Sequence, residues 1–364
     1  MNLSYSRAMN LARATSRSLV YISIAGFLVS LYLAASGYYI YHGYLMFEVV
    51  VPLFVYGVAI SYVSSSLKST DVGAPITVLY LAASGWLLAV MGFVSMAMRS
   101  YLALSIAALV SSAGPLAASI VSSLQSDVKL SDGLIGVYFL VGGLMMYLVR
   151  LTLFREALLT FVTFGLGPIY AVSVHSFPST FRERPNLPLA ALDAALLIVA
   201  AALSYYYRYF MALVGVSAIT FPLSIGVQRS RRFIESAKRV NNPIARAGTL
   251  YFIDGHIIAS IMLACVGLTY IVGSLLGLSP LVALHALALG VLVTFVILHA
   301  PLMLPVILRW TSARRYNLTP FLSEAAATAI WPFNEHVSFF FLGLAVVFLV
   351  LIVKPTRQPL PFSL

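Results

Sequence analysis

"LHALALGVLVTFVILHAP", residues 284–301, decides the fold. It is an apolar run without a charged residue, with one histidine near each end, His285 and His299. As a helix it would cover about 27 Å at 1.5 Å per residue, close to the hydrocarbon thickness of a bilayer. The rest of the chain has the same character: 61% of its 364 residues are hydrophobic and 9% are charged. A soluble domain carries about a quarter charged residues. The expected fold is therefore all-α, a polytopic integral membrane bundle forming one transmembrane helical domain over 1–364.

Twelve apolar windows fit spans, near 18–41, 44–66, 74–98, 100–124, 132–153, 156–176, 187–206, 209–227, 249–277, 279–308, 317–333 and 336–353. The distribution of basic residues tests that count. With the N-terminus in the cytoplasm, the inner segments hold Arg7, Arg13, Arg17, Lys68, Lys129, Arg182 and Arg184. They also hold Arg229, Arg231, Arg232, Lys238, Arg239, Arg246, Arg309, Arg314, Arg315, Lys354 and Arg357. Only Arg99, Arg150, Arg155 and Arg208 fall outside. A missed span would scramble this division, so twelve spans with both termini cytoplasmic are expected, in the cell membrane. The net charge of +11 is then a consequence of topology, and no nucleic-acid partner is expected. The one cysteine, Cys265, excludes an intrachain disulfide and a CxxC motif.

The heptapeptide LYLAASG occurs at 31–37 and again at 79–85. The second copy lies inside a span, so both read as small-residue packing surfaces rather than as a signal-peptidase site. A second echo pairs "VSVHSFP" at 172–178 with "VSAITFP" at 216–222. Each lies at the inner end of a span, where proline stops or kinks a helix. The basic loop 228–248 reads either as a solvated connector or as an amphipathic helix touching anionic lipid.

Polar groups inside a bilayer are costly and mark candidate sites. His285 and His299 are 14 residues apart, about 21 Å along the axis and about 40° short of a whole turn. They share a face at two depths and cannot hold one metal ion together. They suit two sites, and both are candidate metal ligands. His256 lies on the adjacent antiparallel span at the depth of His299, an arrangement by which a bundle holds a haem or part of a copper site. His175, at an inner helix end, is a further candidate ligand. His42 and His336 read as interfacial residues in water. Asp254, Asp193 and Glu324 are candidates for a proton or ion relay. Asp254 stands two residues from His256, and such neighbours do not face each other on a helix.

The run His285-Ala286-Leu287 with Gly290, followed by His299 and set among twelve spans, resembles the NnrS family. The topology also loosely resembles the haem–copper oxidase catalytic subunit. The adjacent His-His pair and the His-x-His of that subunit are absent, which excludes a full oxidase site. The resemblance implies haem, with copper as a second metal, and a response to nitric oxide or another small diatomic gas, or redox chemistry with an electron donor. His256, His285, His299 and His175 would then be the cofactor ligands. Two other readings stay open. Twelve spans with Pro115, Pro168, Pro222 and Pro301 in or near them suit a secondary transporter. A cytochrome b-like electron-transfer subunit would use the 14-residue spacing, but the residue 14 beyond His256 is Tyr270. An outer haem would then need its partner from His42 or His336.

Overall fold

A computed structural model describes residues 4–123, 130–149, 151–310 and 316–353. Lys129, Arg150, Arg314, Arg315, Lys354 and Arg357, counted above, lie outside them, as does the C-terminal end assigned to the cytoplasm. The described residues form helices and no strand. Ten helices are long and apolar enough to cross a membrane. They are α1 (Tyr5–Ala35), α2 (Tyr39–Ser66), α3 (Ala74–Met98), α4 (Leu102–Ser123), α5 (Leu130–Leu148), α6 (Leu153–Thr180), α8 (Tyr207–Ile225), α10 (Pro243–Leu276), α11 (Pro280–Leu308) and α13 (Glu335–Val353). The expected spans at 187–206 and 317–333 are shorter. They are α7 (Leu187–Ala202, 16 residues) and α12 (Thr319–Ile330, 12 residues). Twelve residues reach only about 18 Å, less than the roughly 30 Å of hydrocarbon.

The basic loop holds α9 (Ser230–Lys238). It is amphipathic, but its apolar face is turned to protein. Phe233 stacks on Phe181 at 4.3 Å, while Arg231, Arg232 and Lys238 are exposed. Arg229 and Arg232 reach Glu183 at 3.2 and 3.0 Å.

The two copies of LYLAASG do different work. In α3, Gly85 lies where a Cβ would meet Ile60 and Leu19 at 2.8 and 2.9 Å, so the small residue permits close packing. In α1 the same peptide ends the helix: Gly37 has φ +81°, the left-handed conformation that favours glycine. Only Ala34 of that copy is buried. Beside the second copy, the Tyr56 hydroxyl lies 2.7 Å from the Ser84 hydroxyl and donates to the Ser111 carbonyl at 2.9 Å. Tyr56→Phe removes both bonds from a fully buried position. It should lower unfolding stability by about 1–3 kcal/mol, read as a lower melting temperature in detergent.

Three helices carry a π-helical segment: Leu45–Val50 in α2, Phe161–Leu166 in α6 and Ala288–Val293 in α11. A π segment inserts an extra residue into the turn and re-aims side chains, often at functional sites. α6 packs against both α2 and α11. Between α2 and α11 a gap remains, and all three π segments contribute to its walls.

Candidate functional site

The gap is an apolar cavity of about 620 Å³, lined by α1, α2, α6, α11 and α13. Its lining includes His42 from α2, His285 from α11, Tyr39 and Glu335, together with Ser23, Ser338, Trp310 and Trp331. The Tyr39 hydroxyl donates to Glu335 Oε1 at 3.0 Å. Trp331 stacks on the His285 ring with centroids 4.0 Å apart and planes 10° apart. The two imidazoles border the same cavity.

Hydrogen bonds orient both rings. His285 Nδ1 lies 2.9 Å from the Leu281 carbonyl. His42 Nδ1 lies 3.0 Å from the Ser30 carbonyl, while the Ser30 hydroxyl donates to the His42 carbonyl at 3.3 Å. A carbonyl oxygen only accepts, so in His285 Nδ1 carries the hydrogen and Nε2 keeps its lone pair, whereas His42 Nδ1 lies also 2.8 Å from the Ser30 hydroxyl, which can donate or accept. This is how a backbone carbonyl orients a ligating histidine.

The second imidazole pair is the expected one. His256 of α10 and His299 of α11 meet with ring centroids 5.7 Å apart and planes at 78°. Their Nδ1 atoms are held by the carbonyls four residues back, Phe252 at 2.8 Å and Phe295 at 2.9 Å. Both Nε2 atoms are buried without a hydrogen-bond partner. Phe177 of α6 closes over His256 at 4.2 Å. Beside His299 is a small cavity of about 70 Å³, bounded by Ser173, Met303 and apolar side chains.

The other candidates separate. His175 is exposed on α6, and the α6 side chain facing the pair is Phe177. His336 is exposed, as expected. Asp254 is partly exposed and about 200° around α10 from His256. Glu324 is fully buried and accepts from the hydroxyls of Thr294 at 2.9 Å and Thr328 at 2.8 Å, tying α12 to α11. Asp193 is buried on α7. One Asp193 oxygen accepts from the Thr220 hydroxyl, and the other has no partner.

His42 is the site residue that the span reading set aside. It was legible in part, since an outer partner for His285 was needed and His42 was one of two histidines at that depth. No family model, curated protein or solved structure matches the chain.

Proposed function

We propose that this chain is a haem-binding multi-pass membrane protein, with the haem in the 620 Å³ cavity between His42 and His285. One observation carries the reading. Two imidazoles from different helices, each with Nδ1 held by hydrogen bonds to its own or a neighbouring helix, border one apolar cavity of ligand size. Pockets that enclose a small molecule or cofactor run to about 300–1,000 Å³, and bis-imidazole ligation in a helical bundle needs this donor set. When bound, haem iron supplies one-electron chemistry or gas binding. The protein's part is to fix the two rings, exclude water with apolar walls and stack Trp331 on His285. A diatomic gas partitions into the bilayer and reaches such a site directly, and an electron donor is the other partner this reading admits.

The same residues do not fit the other expected groups as well. A macrocycle does not fit between His256 and His299, where Phe177 closes over the rings and the adjoining space is about 70 Å³. For copper, no group of three or more His, Cys, Asp or Glu gathers among the described residues. The topology belongs to this proposal too: twelve crossings, completed by the short α7 and α12, with both termini cytoplasmic. The exposed Arg231 and Arg239 on that side are placed to meet anionic lipid.

The test is a dithionite-reduced minus oxidised absorption spectrum of protein purified from cells supplied with haem. A near-stoichiometric α-band is expected. A colourless protein under those conditions would overturn the reading and favour a transporter.

A further inference from the structure

The 620 Å³ cavity is longer than the haem reading needs. His42 follows Tyr39 by three residues, and Tyr39 is bonded to Glu335. His285 stacks on Trp331, four residues before Glu335. Both imidazoles therefore belong to the Glu335 end. Along α13 the lining residues continue from Glu335 to Val353, about 27 Å of helix, which is close to the hydrocarbon thickness of a bilayer.

Two of the walls are α1 and α13, and among the described residues these helices scarcely meet. α1 packs on α2, α3 and α11, and α13 packs on α11 and α12. A seam is left between them. Leu28 of α1 and Val350 of α13 line the cavity and are also 55% and 49% exposed. On helices that cross a bilayer such residues face hydrocarbon, so the cavity wall is continuous with the lipid-facing surface. A hydrogen bond joins the walls towards each end. The Tyr39 hydroxyl donates to Glu335 at 3.0 Å. Trp310, which also lines the cavity, donates from Nε1 to the Tyr21 hydroxyl of α1 at 3.2 Å.

The stretch beyond the imidazoles is hydrocarbon. Leu342, Ala345, Val346, Leu349 and Val353 of α13 line it, with Leu304 of α11. The two serine hydroxyls of the wall are engaged: Ser23 donates to the Val50 carbonyl at 3.0 Å and Ser338 to the Ala327 carbonyl at 2.8 Å. A water needs two to four polar partners, and the side chains of this stretch offer it none. Left empty, the lining would forfeit its dispersion contacts on that side. A flexible apolar chain supplies them.

We propose that this stretch is a binding site for one acyl chain of a bilayer phospholipid, which enters sideways through the seam between α1 and α13 while its headgroup stays at the membrane surface. The occupant follows from continuity: what stands against the exposed lips of the seam is lipid hydrocarbon, and the wall beyond them has the same apolar character. Lipid tails are as apolar as leucine, so the chain gains packing contacts and no hydrophobic energy on entering. Such a chain exchanges with the surrounding lipid rather than staying as a permanent part of the protein. Lying along α13, it closes the cavity to water beyond the two imidazoles.

The experiment is photolabelling of the full chain in nanodiscs of phosphatidylcholine that carries a diazirine at the end of one acyl chain, with the labelled residues mapped by mass spectrometry. Val51 and Ile297 line the cavity and are buried, at 1% and 2% exposure, so a bilayer chain reaches them only by entering. Both should be labelled, together with Phe340 and Val347 on the exposed face of α13. Leu28→Trp obstructs the lip at an exposed position that the fold tolerates, and Ala345→Phe fills the stretch from within. Each should abolish the label at Val51 and Ile297 and leave that at Val347, which reports that the protein is folded in the bilayer. Label confined to Phe340 and Val347 in the unaltered protein would overturn the site. So would label that persists at Val51 and Ile297 in both variants. Labelling needs no haem, so a colourless protein that labels at Val51 would end the haem assignment and leave the chain site standing.

Discussion

Replacing His285 with alanine removes the reduced α-band of the purified protein, and replacing His42 does the same. Each ring would be one of the two residues that hold the haem, and the walls around them are apolar, with the Met46 thioether a weaker donor. Tyr39 and Glu335 at the mouth are engaged with each other. With one of the two imidazoles gone, the other alone would hold a haem weakly or not at all. Haem content per protein should fall by at least about tenfold, the usual scale for losing a group that supports a metal. Added imidazole should restore a low-spin spectrum to His285→Ala, because that deletion leaves a ring-sized space beside Trp331. His299→Ala and His336→Ala should keep the band, the first because its ring faces the small inner cavity and the second because it is exposed. A band lost in His299→Ala and kept in His285→Ala would move the haem inward and end the assignment.

The histidine reading shows where the sequence is legible. His256 and His299 were expected to face each other at one depth, and their rings are in contact. Depth on adjacent antiparallel helices follows from residue counting, which suffices where helices are regular. His42 was misread because the first boundary is irregular. An apolar window continues from α1 through "GYYIY" to residue 41, which places His42 in an outer loop. In the structure Gly37, at φ +81°, ends α1 early, and α2 begins at Tyr39. His42 therefore lies within α2, one turn before a π segment. Hydropathy does not register a left-handed residue or a π insertion, and these two backbone features bring His42 to His285. The Asp193 environment was illegible for a related reason. Its partners Thr220 and Ser217 come from α8, and sequence spacing carries no information about which faces meet. Helices α7 and α12 are shorter than their apolar windows because composition does not mark where a helix ends.

A second large effect is expected far from any polar group, where α8 crosses α10. A Cβ on Gly215 would lie 2.7 Å from the Gly267 carbonyl oxygen, and a Cβ on Gly267 would lie 2.7 Å from the Gly215 carbonyl oxygen. The contact is reciprocal and backbone to backbone, so no side-chain rotation relieves it. Such close approach of small residues lets membrane helices gain dispersion energy where no hydrophobic force joins them. Gly267→Val must separate the helices, and overpacking of this kind costs about 1–3 kcal/mol or more. The expected result is a clear fall in melting temperature by fluorescence-detected size exclusion, larger for valine than for alanine at the same position. Gly343→Ala is the control: nothing lies within 4 Å of its added Cβ, and alanine favours a helix over glycine by about 1 kcal/mol.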